Sequence, residues 1–258
     1  MNKSKSQTDN QSKQINAVRL FLGGSFDPVH HGHITLLYHV ATQLRTTYPL
    51  DIPVYASFLP AARSPLKDTS LAPKHRLNML KLAIAAHQNT LRNTEDTNSL
   101  TTLSSIPITP SICELELWQT PPTYTIDTLQ TLRAHYPNDS IIFIMGADNV
   151  ASLPKWRCGL LLTTQAHLWI CPRNDWQDIA AISAVLPTPL HTQITTNTHD
   201  LKTTPSGRIY IDSTAMMAVS SSQIRQQLQQ HQNSDDPLAT IEIARDVYDY
   251  IRQHHLYV

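Results

Sequence analysis

Three histidines lie close to glycines in the string GGSFDPVHHGH, at residues 23–33. His30 and His33 are three residues apart, so at the entrance of a helix they would project to the same side. Imidazoles in that position can donate hydrogen bonds to phosphoryl oxygens and stabilise charge that develops in a transition state. The glycines would let a nucleotide lie close against the backbone, and the helix start would supply unpaired N–H groups for phosphate.

Each part of this string also has a plainer explanation. A Gly-Gly pair alone is more often a simple turn, and a histidine pair alone is more often exposed to solvent. A metal-binding pair is a third alternative, but no neighbouring residues complete a set of ligands. The complete string, placed directly after an apolar run, is much more specific than either part.

A second string of chemical interest, VSSSQIR, lies at residues 219–225. Three hydroxyls at a helix N-terminus, with Arg225 one turn further on, would form a cradle for a triphosphate. Taken alone, the string is more often a serine N-cap with a solvated arginine. Its combination with the histidine string favours the phosphate interpretation.

Strand and helix patterns alternate around these strings. Short apolar runs predict strands at 18–22, 52–59, 112–117, 141–145, 167–171 and 208–211. Helical spacing of apolar residues predicts helices beginning near residues 33, 74, 126, 222 and 237. This order predicts an α/β fold, a Rossmann-like doubly wound and mostly parallel sheet with helices on both faces and a short C-terminal helical extension.

Such sheets bind ligands at the carboxyl ends of their strands. The chemistry is therefore expected just after Leu22, Leu59, Met145 and Cys171. We expect a polar, disordered tail at 1–14, a single domain at 15–258, and an inserted loop rich in Thr, Ser and Asn at 89–110.

Composition limits the function classes. The chain has 258 residues, with 20 Lys plus Arg against 20 Asp plus Glu, so a broad nucleic-acid-binding surface is not expected. The three cysteines are widely spaced and indicate neither a disulfide framework nor a structural zinc site. The sequence contains no apolar run long enough to cross a membrane, and a cytoplasmic location is expected. Whether the chain forms a homo-oligomer is left open.

The first string resembles the signature of the HxGH nucleotidyltransferases, whose HxGH motif binds the phosphates of ATP. VSSSQIR resembles their ISSTxIR-like second signature, with Ser in place of the usual Thr. The strings GAD at 146–148, PTYT at 122–125 and LPKW at 153–156 are similar to those of the bacterial nicotinate-nucleotide adenylyltransferases. The resemblance extends over roughly residues 17–256. Two positions depart from the family pattern: Leu66 stands where the family commonly has a histidine, and Arg157 stands where it frequently has an aromatic residue.

The resemblance implies roles for three groups of residues. The catalytic group is His30, His33 and Arg225. The ATP-binding group is Gly23, Gly24, Ser25, Phe26, Gly32, His33, Gly146, Asp148, Ser221, Ser222, Ile224 and Arg225. The mononucleotide-binding group is Asp27, Arg63, Lys67, Tyr124, Thr125 and Trp156.

The reaction implied by the resemblance joins the AMP part of ATP to nicotinate mononucleotide, giving deamido-NAD and pyrophosphate. The phosphate of the mononucleotide is itself the nucleophile, so no covalent intermediate is expected. Mg²⁺ is expected to arrive with ATP rather than in a protein metal site. The alternatives are transfer to nicotinamide mononucleotide or another phosphate acceptor, and a catalytically silent nucleotide-binding protein of the same fold.

Overall fold

The structure, a computed structural model, describes residues 14–47, 52–63, 70–95, 108–173, 178–214, 219–230 and 241–258. Its centre is a seven-stranded sheet in the order β3-β2-β1-β4-β5-β7-β6, and every strand pair is parallel. The strands are β1 (Val18–Gly24), β2 (Val54–Pro60), β3 (Ser111–Ile112), β4 (Ser140–Gly146), β5 (His167–Cys171), β6 (Ile194–Thr195) and β7 (Ile209–Ile211).

Helices connect the strands. They are α1 (His31–Thr47), α2 (Pro73–Glu95), α3 (Thr125–His135), α4 (Ile179–Val185), α5 (Asp200–Thr203), α6 (Ser221–Gln230) and α7 (Arg245–Gln253). Three 3₁₀ segments add to them at Ala147–Lys155, Gly159–Thr164 and Thr188–Gln193. Among the helices described, none is both long enough and apolar enough to span a membrane.

The central strands are apolar throughout because both faces of the sheet are covered. Along β4, Ile142 and Ile144 belong to one core cluster, while Ile141 and Phe143 belong to the other. Alternate side chains of a strand point to opposite faces, so each strand contributes to two separate cores. The predicted doubly wound α/β class is confirmed.

The position of β1 determines where a ligand can enter. β1 lies between β2 and β4, so the chain passes to one side of β1 and later returns to its other side. Where the strand order reverses in this way, the connections from two neighbouring strands leave in opposite directions. A crevice therefore opens outside the carboxyl ends of those strands. The histidine string follows β1 and therefore begins at this crevice.

Three predicted elements differ from the structure. In place of a strand over 112–117, only Ser111–Ile112 pairs, and the chain then turns through hydrogen bonds from Leu117 to Glu114 and from Gln119 to Glu116. Leu117 is fully buried by that turn and not by a strand.

Helix bounds account for the other differences. Helix α2 continues to Glu95, so residues 89–95 of the predicted loop are helical, and residues 96–107 lie outside the described residues. The last helix begins at Arg245. Residue 237, near which its start was predicted, lies outside the described residues, and so do residues 1–13 of the predicted tail.

Candidate active site

A cavity of about 450 Å³ opens at the carboxyl ends of β1, β4 and β5. Its wall includes Gly23 and Gly24 at the end of β1, Gly146 at the end of β4, and Pro172 after β5. This is the place that the sheet topology predicts for a ligand.

Two of the glycines bring the backbone to the cavity wall because a side chain would not fit. A Cβ on Gly23 would lie 2.6 Å from the ring of Phe143. A Cβ on Gly146 would lie 2.3 Å from Oδ1 of Asp148. Any larger residue at these positions would displace a neighbour, so glycine keeps the strand ends close to the cavity.

His30 and His33 both line the cavity, and their rings are stacked with centroids 3.7 Å apart. His30 is 3% exposed, and neither of its ring nitrogens has a hydrogen-bond partner among the described residues. Burial, followed by the charge of Arg173, lowers the pKa of His30 to about 3. His30 is therefore a neutral imidazole with one N–H to donate.

The first turns of two helices face the same cavity. Gly32 and His33 belong to the start of α1, and Ser221 and Ser222 belong to the start of α6. The Ser221 hydroxyl donates to the carbonyl oxygen of Pro28 at 3.0 Å, which joins the two helix starts. The positive ends of the two helix dipoles give this part of the wall a partial positive charge suited to phosphate.

Of the two arginines near the cavity, Arg225 was expected to line it and does not, whereas Arg173 lines it without having been predicted. Arg225 is not among the described residues that line the cavity, because its guanidinium donates to the Asp27 carbonyl oxygen at 2.7 Å and to Ser222 Oγ at 3.0 Å. Arg173 does line the cavity, and it donates to the carbonyl oxygen of Val219. Arg173 was not predicted from the sequence, although it lies two residues after β5, at a strand end where ligands bind.

Three predicted ligand contacts point into the protein instead. Phe26 is fully buried and lies edge-on to His33, with ring centroids 4.9 Å apart. Ile224 is fully buried in the core. Asp27, expected to bind the mononucleotide, is 6% exposed and accepts hydrogen bonds from Leu71 and Tyr257. Since these side chains lie beneath the cavity wall, their contribution is packing and support.

Ser25 lies on the cavity wall, as predicted for a residue of the first string. Its carbonyl oxygen accepts a hydrogen bond at 2.9 Å from Arg76, which is itself fully buried. The same guanidinium donates to the carbonyl oxygens of Ala61, Ala62 and Leu71 at 2.6 to 3.0 Å. Arg76 therefore joins the loop after β1 to the loop after β2.

Another part of the cavity is aromatic and carries Tyr124, Thr125 and Trp156. The indole N–H of Trp156 donates to Ser152 Oγ at 3.0 Å, which fixes the ring plane. The guanidinium of Arg157 lies 4.9 Å from the centre of the Tyr124 ring and pairs with Asp127 at 3.1 Å. These rings offer flat surfaces for a heterocycle, with a positive charge beside them.

Glu116 is a buried carboxylate on the same wall that sequence reasoning did not select. It accepts hydrogen bonds from the hydroxyls of Thr123 and, at 3.0 Å, of Thr128. These threonines flank Tyr124 and Thr125, so Glu116 holds the segment that carries the aromatic wall. Burial raises the pKa of Glu116.

Asp148 lines the cavity with Gly146 and accepts a hydrogen bond from Asn149 at 3.2 Å. Arg63 does not line this cavity; it lines a neighbouring one of about 270 Å³ beside Trp118. Lys67 lies outside the described residues. The described part of the chain contains no group of three or more His, Cys, Asp or Glu side chains arranged to hold a metal ion.

Comparisons with known proteins match this architecture. Residues 21–227 match the cytidylyltransferase-like family. The probable nicotinate-nucleotide adenylyltransferases of Psychromonas ingrahamii and Idiomarina loihiensis are 32% and 30% identical to this chain. The two alignments cover 92% and 93% of this chain and 95% and 100% of those proteins.

The fold is shared with a solved structure described as Plasmodium falciparum nicotinic acid mononucleotide adenylyltransferase complexed with NaAD. The TM-score is 0.61 at 20% identity, over 93% of this chain and 97% of that chain. A likeness at this level of identity establishes the common fold.

Proposed function

This chain belongs to the cytidylyltransferase-like family and, within it, to the nicotinate-nucleotide adenylyltransferases, and we propose that it transfers the adenylyl group of ATP to nicotinate mononucleotide. The products are deamido-NAD and pyrophosphate. The observation that carries this proposal is that one cavity holds both a phosphate-binding wall, with His30, His33 and Arg173, and an aromatic wall, with Tyr124 and Trp156.

The reaction requires no nucleophile from the protein. An oxygen of the mononucleotide 5′-phosphate attacks the α-phosphorus of ATP, and the bond to the oxygen that bridges the α- and β-phosphates breaks. Both reactants are anions, so the protein must place them in line and neutralise charge. Mg²⁺ enters as part of MgATP, bound mainly by phosphate oxygens and water.

The phosphate-binding wall supplies that neutralisation. Arg173 contributes a full positive charge, and the N-terminal turns of α1 and α6 contribute partial charges. His30, which is neutral and buried, donates a hydrogen bond to a phosphoryl oxygen without losing hydration at the moment of reaction. Arg225 acts on the same phosphates through Ser222, to which it donates.

The aromatic wall selects the acceptor. Trp156 and Tyr124 stack on the pyridine ring, and Thr125 lies beside them. The positive charge of Arg157, held over Tyr124, favours the carboxylate of nicotinate over the neutral amide of nicotinamide. Gly146 and Asp148, at the end of β4, contact the adenosine part of ATP.

The test is an assay of pyrophosphate release from MgATP with nicotinate mononucleotide or nicotinamide mononucleotide, with product identification by mass spectrometry. We expect kcat/KM for nicotinate mononucleotide, which gives deamido-NAD, to be at least about tenfold higher than kcat/KM for nicotinamide mononucleotide, which gives NAD. Replacing ATP with CTP checks the choice of nucleotide. Absence of turnover with both mononucleotides would overturn the proposal, and a preference for nicotinamide mononucleotide would reassign the acceptor.

A further inference from the structure

The side chain of Asp27 links the first loop of the active site to distant parts of the chain. Its Oδ1 accepts a hydrogen bond from the hydroxyl of Tyr257, and its Oδ2 accepts one from the N–H of Leu71 at 3.1 Å. Its carbonyl oxygen accepts one from Arg225 at 2.7 Å. Asp27 is almost fully buried, so these protein groups take the place of water.

Tyr257 reaches Asp27 because the backbone reverses after α7. The N–H of Leu256 donates to the carbonyl oxygen of Ile251 at 3.0 Å, which closes the turn. His255 and Tyr257 have φ angles of +50° and +63°, in the left-handed region that residues other than glycine seldom adopt. Surrounding contacts must hold such a path, and the bond to Asp27 is one of them.

Charge gives this bond a second role. Burial lowers the pKa of the nearby Arg76, and the negative charge of Asp27 opposes that shift. Burial, followed by the charge of Asp27, raises the pKa of Tyr257, so its hydroxyl stays protonated and donates. The negative charge of Asp27 thus balances the positive charge of the buried Arg76 guanidinium, which supports the site loops. Tyr257 satisfies Oδ1 of Asp27 by donating a hydrogen bond to it.

A short path connects Asp27 to the catalytic imidazoles. Phe26, the preceding residue, has a φ angle of +49°, and its ring contacts His33 edge-on. His30, three residues after Asp27, is stacked on His33. A shift of Asp27 would therefore move the ring of Phe26 and the imidazoles that it supports.

We propose that Asp27 and Tyr257 are positioning residues, whose hydrogen bond holds the first loop so that His30 and His33 face the phosphates. This inference rests on the proposed function for its kinetic consequence. Neither residue belongs to the described wall of the cavity. The bond joins residues 230 positions apart, so the C-terminal turn sets the geometry of the first motif.

The test compares Tyr257→Phe with a matched control, Tyr250→Phe. The Tyr250 hydroxyl bonds to His75 at 2.9 Å and to Asn78 at 3.0 Å, contacts that do not include the site loops. Because misplacement of a catalytic group by about 1 Å costs up to roughly 100-fold, we expect kcat of Tyr257→Phe to fall about tenfold. The KM values of both substrates should change less than about twofold, and Tyr250→Phe should keep full turnover.

Hydrogen exchange measured by mass spectrometry gives a readout that does not depend on turnover. We expect the peptide covering residues 24–33 to exchange about tenfold faster in Tyr257→Phe than in wild type, with no change in Tyr250→Phe. If wild type fails to transfer adenylate, the proposed function fails, while the exchange rates still decide this inference. Equal kcat and equal exchange rates in wild type and Tyr257→Phe would overturn it.

Discussion

The imidazole rings of His30 and His33 are stacked with 24° between their planes, and the main-chain N–H of His30 donates to Nδ1 of His33 at 3.4 Å. Nδ1 of His33 therefore accepts this bond, which leaves Nε2 as the ring nitrogen that can donate to a ligand. Two rings in such contact cannot both become positively charged at low cost. In the proposed reaction the pair therefore serves as hydrogen-bond donors, and Arg173 provides the full charge.

Replacing His33 with Ala should lower kcat by about 100-fold, the scale of losing one charge-stabilising donor. His33→Gln, which keeps an N–H donor, should lose less. Steady-state rates of pyrophosphate release would measure both effects.

His31 provides a control within the same motif. It is exposed and does not belong to the described wall of the cavity, so the kcat of His31→Ala should stay within about threefold of the wild-type kcat. An equal loss of kcat in His33→Ala and His31→Ala would show that His33 has no specific role in stabilising the phosphates.

Acid should destabilise the fold through two buried histidines. Burial lowers the pKa of His30 to about 3 and that of His167 to about 4, whereas an unfolded imidazole titrates near 6.5. Between pH 6.5 and 4 the unfolded chain binds more protons than the folded chain, so stability falls as the pH falls.

At pH 5 each of these histidines should reduce the free energy of unfolding by about 2 kcal/mol. Urea denaturation at pH 7 and pH 5 measures the sum. His30→Gln should show a shallower dependence on pH than wild type, and equal slopes in the two proteins would show that His30 is not the group responsible.

Trp156→Ala should raise the KM for the mononucleotide about tenfold, because stacking on an aromatic ring is lost. The KM for ATP should stay within about twofold. Trp118→Ala is the matched control, since Trp118 is 57% exposed and lies outside the described cavity wall. A change confined to the KM for ATP would place Trp156 against the other substrate.

Arg157→Gln should lower the preference for nicotinate over nicotinamide mononucleotide about tenfold, since a charge beside the pyridine pocket is removed. Asp127→Asn removes the ion-pair partner of Arg157 and should leave this preference equal to or higher than that of wild type. The ratio of kcat/KM values for the two acceptors measures the effect. An unchanged ratio in Arg157→Gln would show that the preference has another source.

Arg76→Lys should destabilise the protein by about 3 kcal/mol, because a single ammonium cannot satisfy the buried carbonyl oxygens that the guanidinium now reaches. Arg133 bonds in the same way to the carbonyl oxygens of Tyr136, Asp139, Gln165 and Pro205, which lie elsewhere. Arg133→Lys should therefore reduce stability and leave turnover unchanged, whereas Arg76→Lys should reduce both. Urea melts and initial rates separate the two outcomes.

The predictable part of this protein is the part encoded locally. The apolar runs of β1, β4 and β5 are visible because these strands are buried on both faces. The glycine and histidine string and the serines of α6 carry their chemistry within a few residues. Both were therefore identified from the sequence, and the structure brings them to one cavity.

Contacts between residues far apart in the sequence could not be predicted from local sequence patterns. Arg173 is a single arginine in an ordinary connection, and only the sheet order places it beside His30. Asp27 belongs to a ligand-binding string, yet its side chain points inward to a tyrosine 230 positions away. The strand predicted at 112–117 ends at Ile112, because the chain then turns and buries the adjacent residues Glu116 and Leu117, which an alternating apolar pattern does not reveal.

The bond between Asp27 and Tyr257 also bears on when the enzyme can work during its own synthesis. At about 5 to 20 residues per second, a ribosome takes roughly 10 to 50 s to travel from one residue to the other. The histidine motif therefore emerges long before the tyrosine that holds it. A nascent chain would carry every phosphate-binding group of the first loop and still lack the support that aligns them, so full activity would begin only after the last turn has docked.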